Sequence, residues 1–304
     1  MATQPQERRL AFLATALPPI VWVVAFFLAP LAIVWAYSFG QNAGLTGVDI
    51  SGTLANYLRA LQPLYLGIFI KSIFVAGLTT LLCLIVGFPV ALAIVFASER
   101  WRPWMLMLIM LPFWTNLLIR TYALIAVLRT EGYVNFTLAW FWDRASWLMT
   151  LVGLQPLGDF TPLQLLYSNF AVVMGLVYVH LPFMVLPLYA ALDRLDKSLI
   201  EASLDLGAGH LRTLWSIVVP LALPGIISGI IITFVPALGA YLTPDLLGGP
   251  DSQMIANVIE RQFKQANDWP FGAALSFLLM YATFGAIALR AYFSRGKPAN
   301  SHGI

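Results

Sequence analysis

The chain has little charge, one cysteine and three histidines, and each shortage excludes something. Asp, Glu, Lys and Arg make up 10% of its 304 residues, against roughly 25% in soluble domains. The single cysteine, Cys83, lies in an apolar run. It has no partner for an internal disulfide and no companions for a zinc site, and reads as a small buried apolar residue. His180, His210 and His302 stand too far apart for metal-ligand spacing. No Gly-x-x-x-x-Gly-Lys phosphate loop is present, so this chain cannot hydrolyse ATP by that machinery. Neither paired acids nor a histidine cluster marks a membrane-embedded enzyme. There is no internal repeat: Leu111-Pro112-Phe113 and Leu181-Pro182-Phe183 recur, but three residues are too few for a duplication. That counts against a secondary transporter, a class often built on inverted repeats.

What the chain has in abundance is apolar sequence, 60% of it against roughly 45–50% in soluble domains. The expected fold is therefore all-α and polytopic, one transmembrane domain over residues 1–304. Six spans are expected, at about 17–39, 68–97, 104–128, 169–190, 217–240 and 271–293. Arg8-Arg9 before the first apolar run could mimic a secretion signal. However, the run is of spanning length and lacks a small-residue cleavage site, so it reads as an uncleaved first span. Pro89 should kink the second span, and Pro182 and Pro187 the fourth. The loop at 40–67, with Gly40, Gly44, Gly47 and Gly52, should hold a short helix around Tyr57–Leu61. The loop at 129–167 is rich in aromatics, among them Tyr133, Trp140, Phe141, Trp142 and Trp147. It is expected to hold an interfacial helix.

The net charge of +3 reflects the cationic flanks of the spans rather than a nucleic-acid surface. Six spans place both termini on one side. That side carries Arg8, Arg9, Arg100, Arg102, Arg194, Lys197, Arg212, Arg290, Arg295 and Lys297. The other carries Arg59, Lys71, Arg129, Arg144, Arg261 and Lys264. The excess makes the termini cytoplasmic, together with the hydrophilic loop at 191–216.

That loop has structure of its own. Ser198 and Glu201 form a capping-box pattern. Leu199, Ala202, Ser203 and Leu206 fall on one helical face. Gly207 fits a left-handed residue just past the helix end. Leu211, Leu214, Trp215 and Val218 form the apolar face of a second helix. A bare connector needs only a few residues, so a folded helix-turn-helix suggests a docking surface.

The residues that could line a path lie elsewhere. The third span holds Trp114, Asn116, Arg120 and Tyr122. An arginine in a span normally faces protein or an aqueous cavity, so Arg120 is either half of a structural ion pair or a pathway residue. Asn116 and Arg120 should share one helix face, and Trp114 and Thr121 another. His180 reads as an interhelical hydrogen-bonding residue, and Gly225 with Gly229 as a close-packing pair. The fifth span ends in a dense Pro/Gly stretch from Pro236 to Pro250. Such broken backbone is tolerated at membrane depth only when buried in protein or lining water. Tyr241 and Asp245 lie within it. An amphipathic helix over 251–266 should follow, with Ile255, Val258, Ile259 and Gln262 on one side.

Glu201, Ala202, Gly207, Ile217 and Pro220 sit at the spacing of the "EAA" loop of ABC-importer permeases, with Ser203 and Val219 as departures. Leu111–Tyr122, Gly175–Tyr189 and Asp268–Ala274 resemble permeases of spermidine/putrescine ABC importers. The resemblance covers roughly residues 18–293. It implies a type I importer permease of the bacterial inner membrane. By that resemblance, the chain pairs with a second, different permease. Two copies of an ATPase subunit, which hold ATP and Mg, dock on the cytoplasmic loops. An extracytoplasmic binding protein delivers the substrate. Glu201, Ala202, Ser203, Asp205 and Gly207 would couple to the ATPase. Trp114, Asn116, Arg120, Tyr122, Tyr241 and Asp245 would line the path. The aromatic rings and Asp245 suit an ammonium, whereas Arg120 would repel a cation unless paired. Importers of other small amines or amino acids, and an ion-coupled transporter, remain as alternatives.

Overall fold

The computed structural model describes residues 5–43 and 47–294. Gly44, Arg295, Lys297 and His302, and the side chains of Arg8, Arg9 and Arg290, lie outside the described residues. The described residues up to Leu66 together with those from Val258 to Ser294 form one unit, and Gly67–Asn257 the other.

The first unit begins with helix α1 (Pro5–Val23), which continues through a π turn at Val24–Leu28 into α2 (Ala29–Tyr37). Its apolar stretch Ala14–Tyr37 is long enough to cross a bilayer, and none of it is buried. Strands β1 (Gln41–Ala43) and β2 (Gly47–Asp49) pair antiparallel, an element the loop's glycines did not announce. The short helix expected there is α3 (Ala55–Ala60). Asn56 Nδ2 donates to the carbonyls of Ser38 and Gly40 at 3.1 and 2.8 Å, so α3 is tied to the end of α2.

Helix α14 (Trp269–Ser294) starts in the same unit at Asp268. One Asp268 oxygen accepts from Phe271 N–H, and the other from Arg59 at 2.7 Å. The Arg59 guanidinium also lies 4.0 Å from the Phe271 ring centroid. Partial burial disfavours its charge, but the Asp268 carboxylate outweighs that and raises its pKa.

The second unit holds the greater part of α4 (Pro63–Phe96), followed by α5 (Arg102–Met110), a 3₁₀ turn at Leu111–Trp114, α6 (Leu117–Leu128), α7 (Tyr133–Leu151) and α8 (Asn169–Leu192). After α8 come α9 (Lys197–Asp205), α10 (His210–Thr213), a π turn at Leu214–Val218, α11 (Val219–Leu238), α12 (Leu242–Leu247) and the first three residues of α13 (Ile255–Lys264), the rest of which belongs to the first unit. Its buried centre joins Cys83, Ala91 and Ile94 of α4, Met184, Val185 and Leu188 of α8, and Ala222 of α11.

Small residues let these helices approach. A β-carbon on Gly229 would stand 2.7 Å from Met184 Sδ, and one on Gly225 would collide with Ala191 and the Pro187 carbonyl. The pair is a close-packing seam between α11 and α8, as its spacing implied. Gly87 of α4 does the same against Met184 from the other side.

Ala14–Tyr37, Pro63–Phe96, Asn169–Leu192 and His210–Leu238 are long and apolar enough to cross a membrane. They fall where the first, second, fourth and fifth spans were expected. The third region is different. Arg102–Trp114 and Leu117–Leu151 form a pair bent by 97°, rather than one continuous helix over 104–128. The cause is local: Pro112 has no N–H to donate, and Thr115 and Asn116 are extended, with ψ of 143° and 138°. Trp114 and Thr121 therefore share no helix face. In the last region Trp269–Gly285 is a shorter apolar helix. The aromatic loop does contain a helix, α7, and the amphipathic helix expected over 251–266 is α13, which buries Ile255 and Val258.

Candidate functional site: the loop at 193–218 and the break after α11

The loop opens at the C-terminal end of α8. Asp193 is bound by Arg102 Nη1 at 2.8 Å, and the same guanidinium gives Nη2 to the Val95 carbonyl at 2.9 Å. One arginine thus ties the ends of α4 and α8 where the loop begins. Helix α9 starts two residues earlier than its capping box implied. Asp196 is the N-cap, and its Oδ1 accepts the Ser198 N–H at 3.0 Å. The Ser198–Glu201 box does not form, because the carboxylate already holds the N–H in question and Ser198 lies inside the helix. These hydrogen bonds lower the pKa of Asp196.

The far end of α9 is a full Schellman motif. Gly207 N–H donates to Leu204 O at 2.9 Å and Ala208 N–H to Ser203 O at 3.1 Å. Gly207 has φ of +82°, the left-handed value expected for it. Glu201, Ala202, Ser203 and Asp205 all lie on α9. Glu201, Ala202 and Asp205 are exposed, as is Leu206, whereas Ser203 is buried. Its hydroxyl lies 2.9 Å from Thr213 Oγ1 on α10. The apolar face expected over 211–218 is not formed. Leu211 and Trp215 are exposed while Val218 is buried, because the wider π turn at Leu214–Val218 rotates the side chains away from helical register.

At the other end of α11 the backbone breaks at Gly239–Tyr241, and the freed groups find partners inside the unit. Asn257, itself buried, donates Nδ2 to Tyr241 O at 2.8 Å and accepts from Met254 N–H. Ile255 N–H goes to Ser72 Oγ on α4 at 2.7 Å. Helix α12 then packs on α8 and α6. Gly175 of α8 makes room for Leu247 and Thr243.

The six residues expected to line a path are thus carried by the 3₁₀ turn, α6 and the start of α12. Trp114 ends the 3₁₀ turn and is exposed. Asn116 is the N-cap of α6, its Oδ1 accepting Leu118 N–H at 2.8 Å, which gives it a structural task that the face argument missed. Tyr122 on α6 is exposed. Tyr241 is the N-cap residue of α12, and Asp245, also exposed, lies in its first turn.

Arg120 is half-buried, and its Nε is buried without a hydrogen-bond partner. No ion pair among the described residues includes it. His180 of α8 does not reach across to another helix. Its Nδ1 donates to Leu176 O, one turn back, at 2.8 Å. Phe113 and Phe183 meet edge to face at 4.8 Å, packing the broken region on α8.

A groove of about 480 Å³ runs between α8 and α11 on the side of the loop, lined by Pro187, Ala191, Arg194, Leu221, Gly225 and Ser228. None of the six residues expected along the path lines it. Sequence reasoning missed Ser72, Asp196, Thr213 and Asn257. Each is a polar residue beside or within an apolar or helical run, a signal that becomes specific only when its partner is known.

Residues 84–295 match the family described as binding-protein-dependent transport system inner membrane component. The chain is 41% identical over 258 residues to the spermidine/putrescine transport system permease protein PotB of Escherichia coli strain K12, a match covering 85% of this chain and 88% of the relative. The protein of the same description from Haemophilus influenzae is 35% identical over 279 residues, 92% of each chain. Among solved structures, the crystal structure of a bacterial ABC transporter involved in the import of the acidic polysaccharide alginate superposes with a TM-score of 0.69 at 16% identity. That match covers 95% of this chain and 96% of the other. A second structure of similar fit is the alginate transporter in complex with its pentasaccharide-bound periplasmic protein. The family match and the two relatives make this chain a multi-pass inner-membrane permease, a non-catalytic component of an importer that works with a binding protein. The chain belongs to the binding-protein-dependent transport system inner membrane component family.

Proposed function

We propose that this chain is one of two different permease subunits of an ATP-driven importer for polyamines, spermidine and putrescine. The observation that carries the substrate class is the 41% identity to a spermidine/putrescine permease over 85% of the chain. Six spans with both termini in the cytoplasm complete the topology, the bent pair and α14 supplying the third and sixth. Two copies of an ATPase subunit, which hold ATP and Mg, dock on this chain and its partner permease. On this chain the docking segment is α9, with Glu201, Ala202, Ser203, Asp205 and Gly207. Its short form, capped at both ends, and exposed Glu201 and Asp205 support that reading.

On the outer side Trp114, Tyr122 and Tyr241 offer aromatic faces, and Asp245 a carboxylate, to an ammonium. Asn116 and Arg120 belong to the same wall, and the second permease supplies the rest. Alternating access follows when closure of the ATPase dimer draws the loops together.

Reconstitution tests the assignment. The chain, its partner permease, the ATPase and the binding protein are placed in liposomes, and uptake of labelled putrescine and spermidine is followed. ATP-dependent uptake that excess unlabelled polyamine suppresses is the expected result. Uptake of an amino acid instead, with polyamines inert, would transfer the chain to a different importer of the same family.

A further inference from the structure

The loop contains a contact that its docking role does not require. Ser203, on α9, and Thr213, the last residue of α10, place their hydroxyl oxygens 2.9 Å apart, and both residues are buried. Thr213 Oγ1 also donates to Gly209 O at 3.3 Å. A threonine hydroxyl has one proton, and Gly209 O can only accept. With that proton committed, the Ser203 hydroxyl must be the donor to Thr213. The bonds run in one direction, from Ser203 to Thr213 to Gly209. The backbone of Ser203 is engaged as well, since its carbonyl accepts Ala208 N–H in the Schellman turn. Ser203 thus holds the turn with its main chain and the next helix with its side chain. The serine stands where the Glu-Ala-Ala pattern has its last alanine, and an alanine there would supply no hydroxyl for Thr213.

Thr213 stands immediately before the π turn at Leu214–Val218, through which the chain enters α11. A π turn carries one residue too many for regular α-helical bonding and occurs mostly as a single turn inside an α-helix, frequently at functional sites. It is the place where a push on the loop could be absorbed instead of passed on. Beyond it, α11 is locked to α8 by the Gly225 and Gly229 contacts.

We propose that Thr213 is a positioning residue for transport. Its hydroxyl bond to Ser203 clasps α9 to the root of α11, so that the docking helix and the fifth span move as one body. This rests on the reading of α9 as the ATPase docking segment.

The test uses the full importer complex in liposomes, with Ser203→Ala, Thr213→Val and both together. Two quantities are read: amide exchange over residues 197–218, and substrate moved per ATP hydrolysed. Thr213→Val leaves the buried Ser203 hydroxyl without its acceptor, and Ser203→Ala takes from Thr213 its donor while leaving its bond to Gly209 O, so each single variant breaks the clasp. Exchange should therefore quicken by about fivefold across both α9 and α10, the effect of losing one net hydrogen bond. Replacing both hydroxyls by apolar groups removes the unsatisfied partner, so the double variant should recover thermal stability. It should still move less substrate per ATP than the parent.

A double variant that regains the full transport ratio along with its stability would overturn the proposal, because the pair would then serve packing alone. So would faster exchange confined to the helix carrying the substitution. Failure of the docking reading looks different. ATPase retention by the complex would then be indifferent to charge reversal at Glu201, while the exchange measurement would still decide whether the clasp exists.

Discussion

Ser72 of α4 accepts the backbone N–H of Ile255 on its hydroxyl oxygen at 2.7 Å, across 183 positions of sequence. The same hydroxyl donates to Ile68 O at 2.8 Å, so both of its hydrogen-bonding roles are used. The bond closes the segment that follows the break in α11, and it does so where both groups are buried. A backbone N–H left unpaired there costs roughly 1–3 kcal/mol. Ser72→Ala should lower the stability of the purified complex by about that amount, read as an earlier thermal transition. An unchanged transition would mean that the Ile255 N–H finds another acceptor.

Gly207 tests the turn. Its φ is +82°, and a β-carbon added to it meets nothing within 4 Å. The cost of a side chain at this position is therefore conformational, not steric crowding by neighbours. A left-handed residue costs roughly 1–2 kcal/mol, more for a β-branched side chain and less for asparagine. Gly207→Val should insert normally but lose ATP-driven uptake, while Gly207→Asn should keep most of it. Full uptake by Gly207→Val would remove the main support for α9 as the docking segment.

Asp196 gives the loop a pH dependence of known sign. The Ser198 N–H bonds to its carboxylate and lowers its pKa in the folded chain. Its contribution is therefore complete above the ordinary aspartate value of about 4 and is lost as pH falls through the lowered folded value. Amide exchange in the first turn of α9 should accelerate over that acid range in the parent. Asp196→Asn keeps an acceptor oxygen but has no proton to gain, so this acid-specific acceleration should be absent. Parallel pH profiles for the two proteins would show that the cap carries no charge effect.

The parts of the fold that were legible in the sequence were those written in local pattern. Long apolar runs gave four helices nearly at their observed bounds, because a helix satisfies its own backbone whatever its neighbours do. Gly207 was legible for a similar reason: a glycine just past a helical pattern usually marks one backbone conformation. The third span was not, because hydropathy does not register the extended pair Thr115–Asn116 that bends it. Nor was the α9 cap. Asp196 and Ser198 both carry cap-forming side chains, and only the geometry says which one reaches an N–H. Ser203–Thr213 and Ser72–Ile255 were invisible for a more basic reason. A hydroxyl in an apolar run can equally bond its own helix, as Thr80 does to Ala76 O at 2.7 Å.

Asp245 carries the last prediction, which concerns the substrate path. It is exposed in the first turn of α12, just beyond the break in α11, with Tyr241 at the N-cap of the same helix. Helix α12 packs on α6, which carries Arg120 and Tyr122. We expect Asp245 to hold a cationic substrate near the outer end of the path. A charge-assisted contact of this kind is worth roughly 1.5–3 kcal/mol. Its loss should weaken apparent affinity by about ten- to a hundredfold. The rival role is structural, in which Asp245 serves only the start of α12 or the charge balance of Arg120. Asp245→Asn separates them, since the amide keeps the shape and loses the charge. A substrate role predicts lost polyamine uptake with assembly, basal ATPase activity and binding-protein docking intact. A structural role predicts poor assembly, and in its charge-balance form that defect should be relieved by Arg120→Gln. Normal uptake by Asp245→Asn would exclude both, because neither survives loss of the charge without a measurable defect.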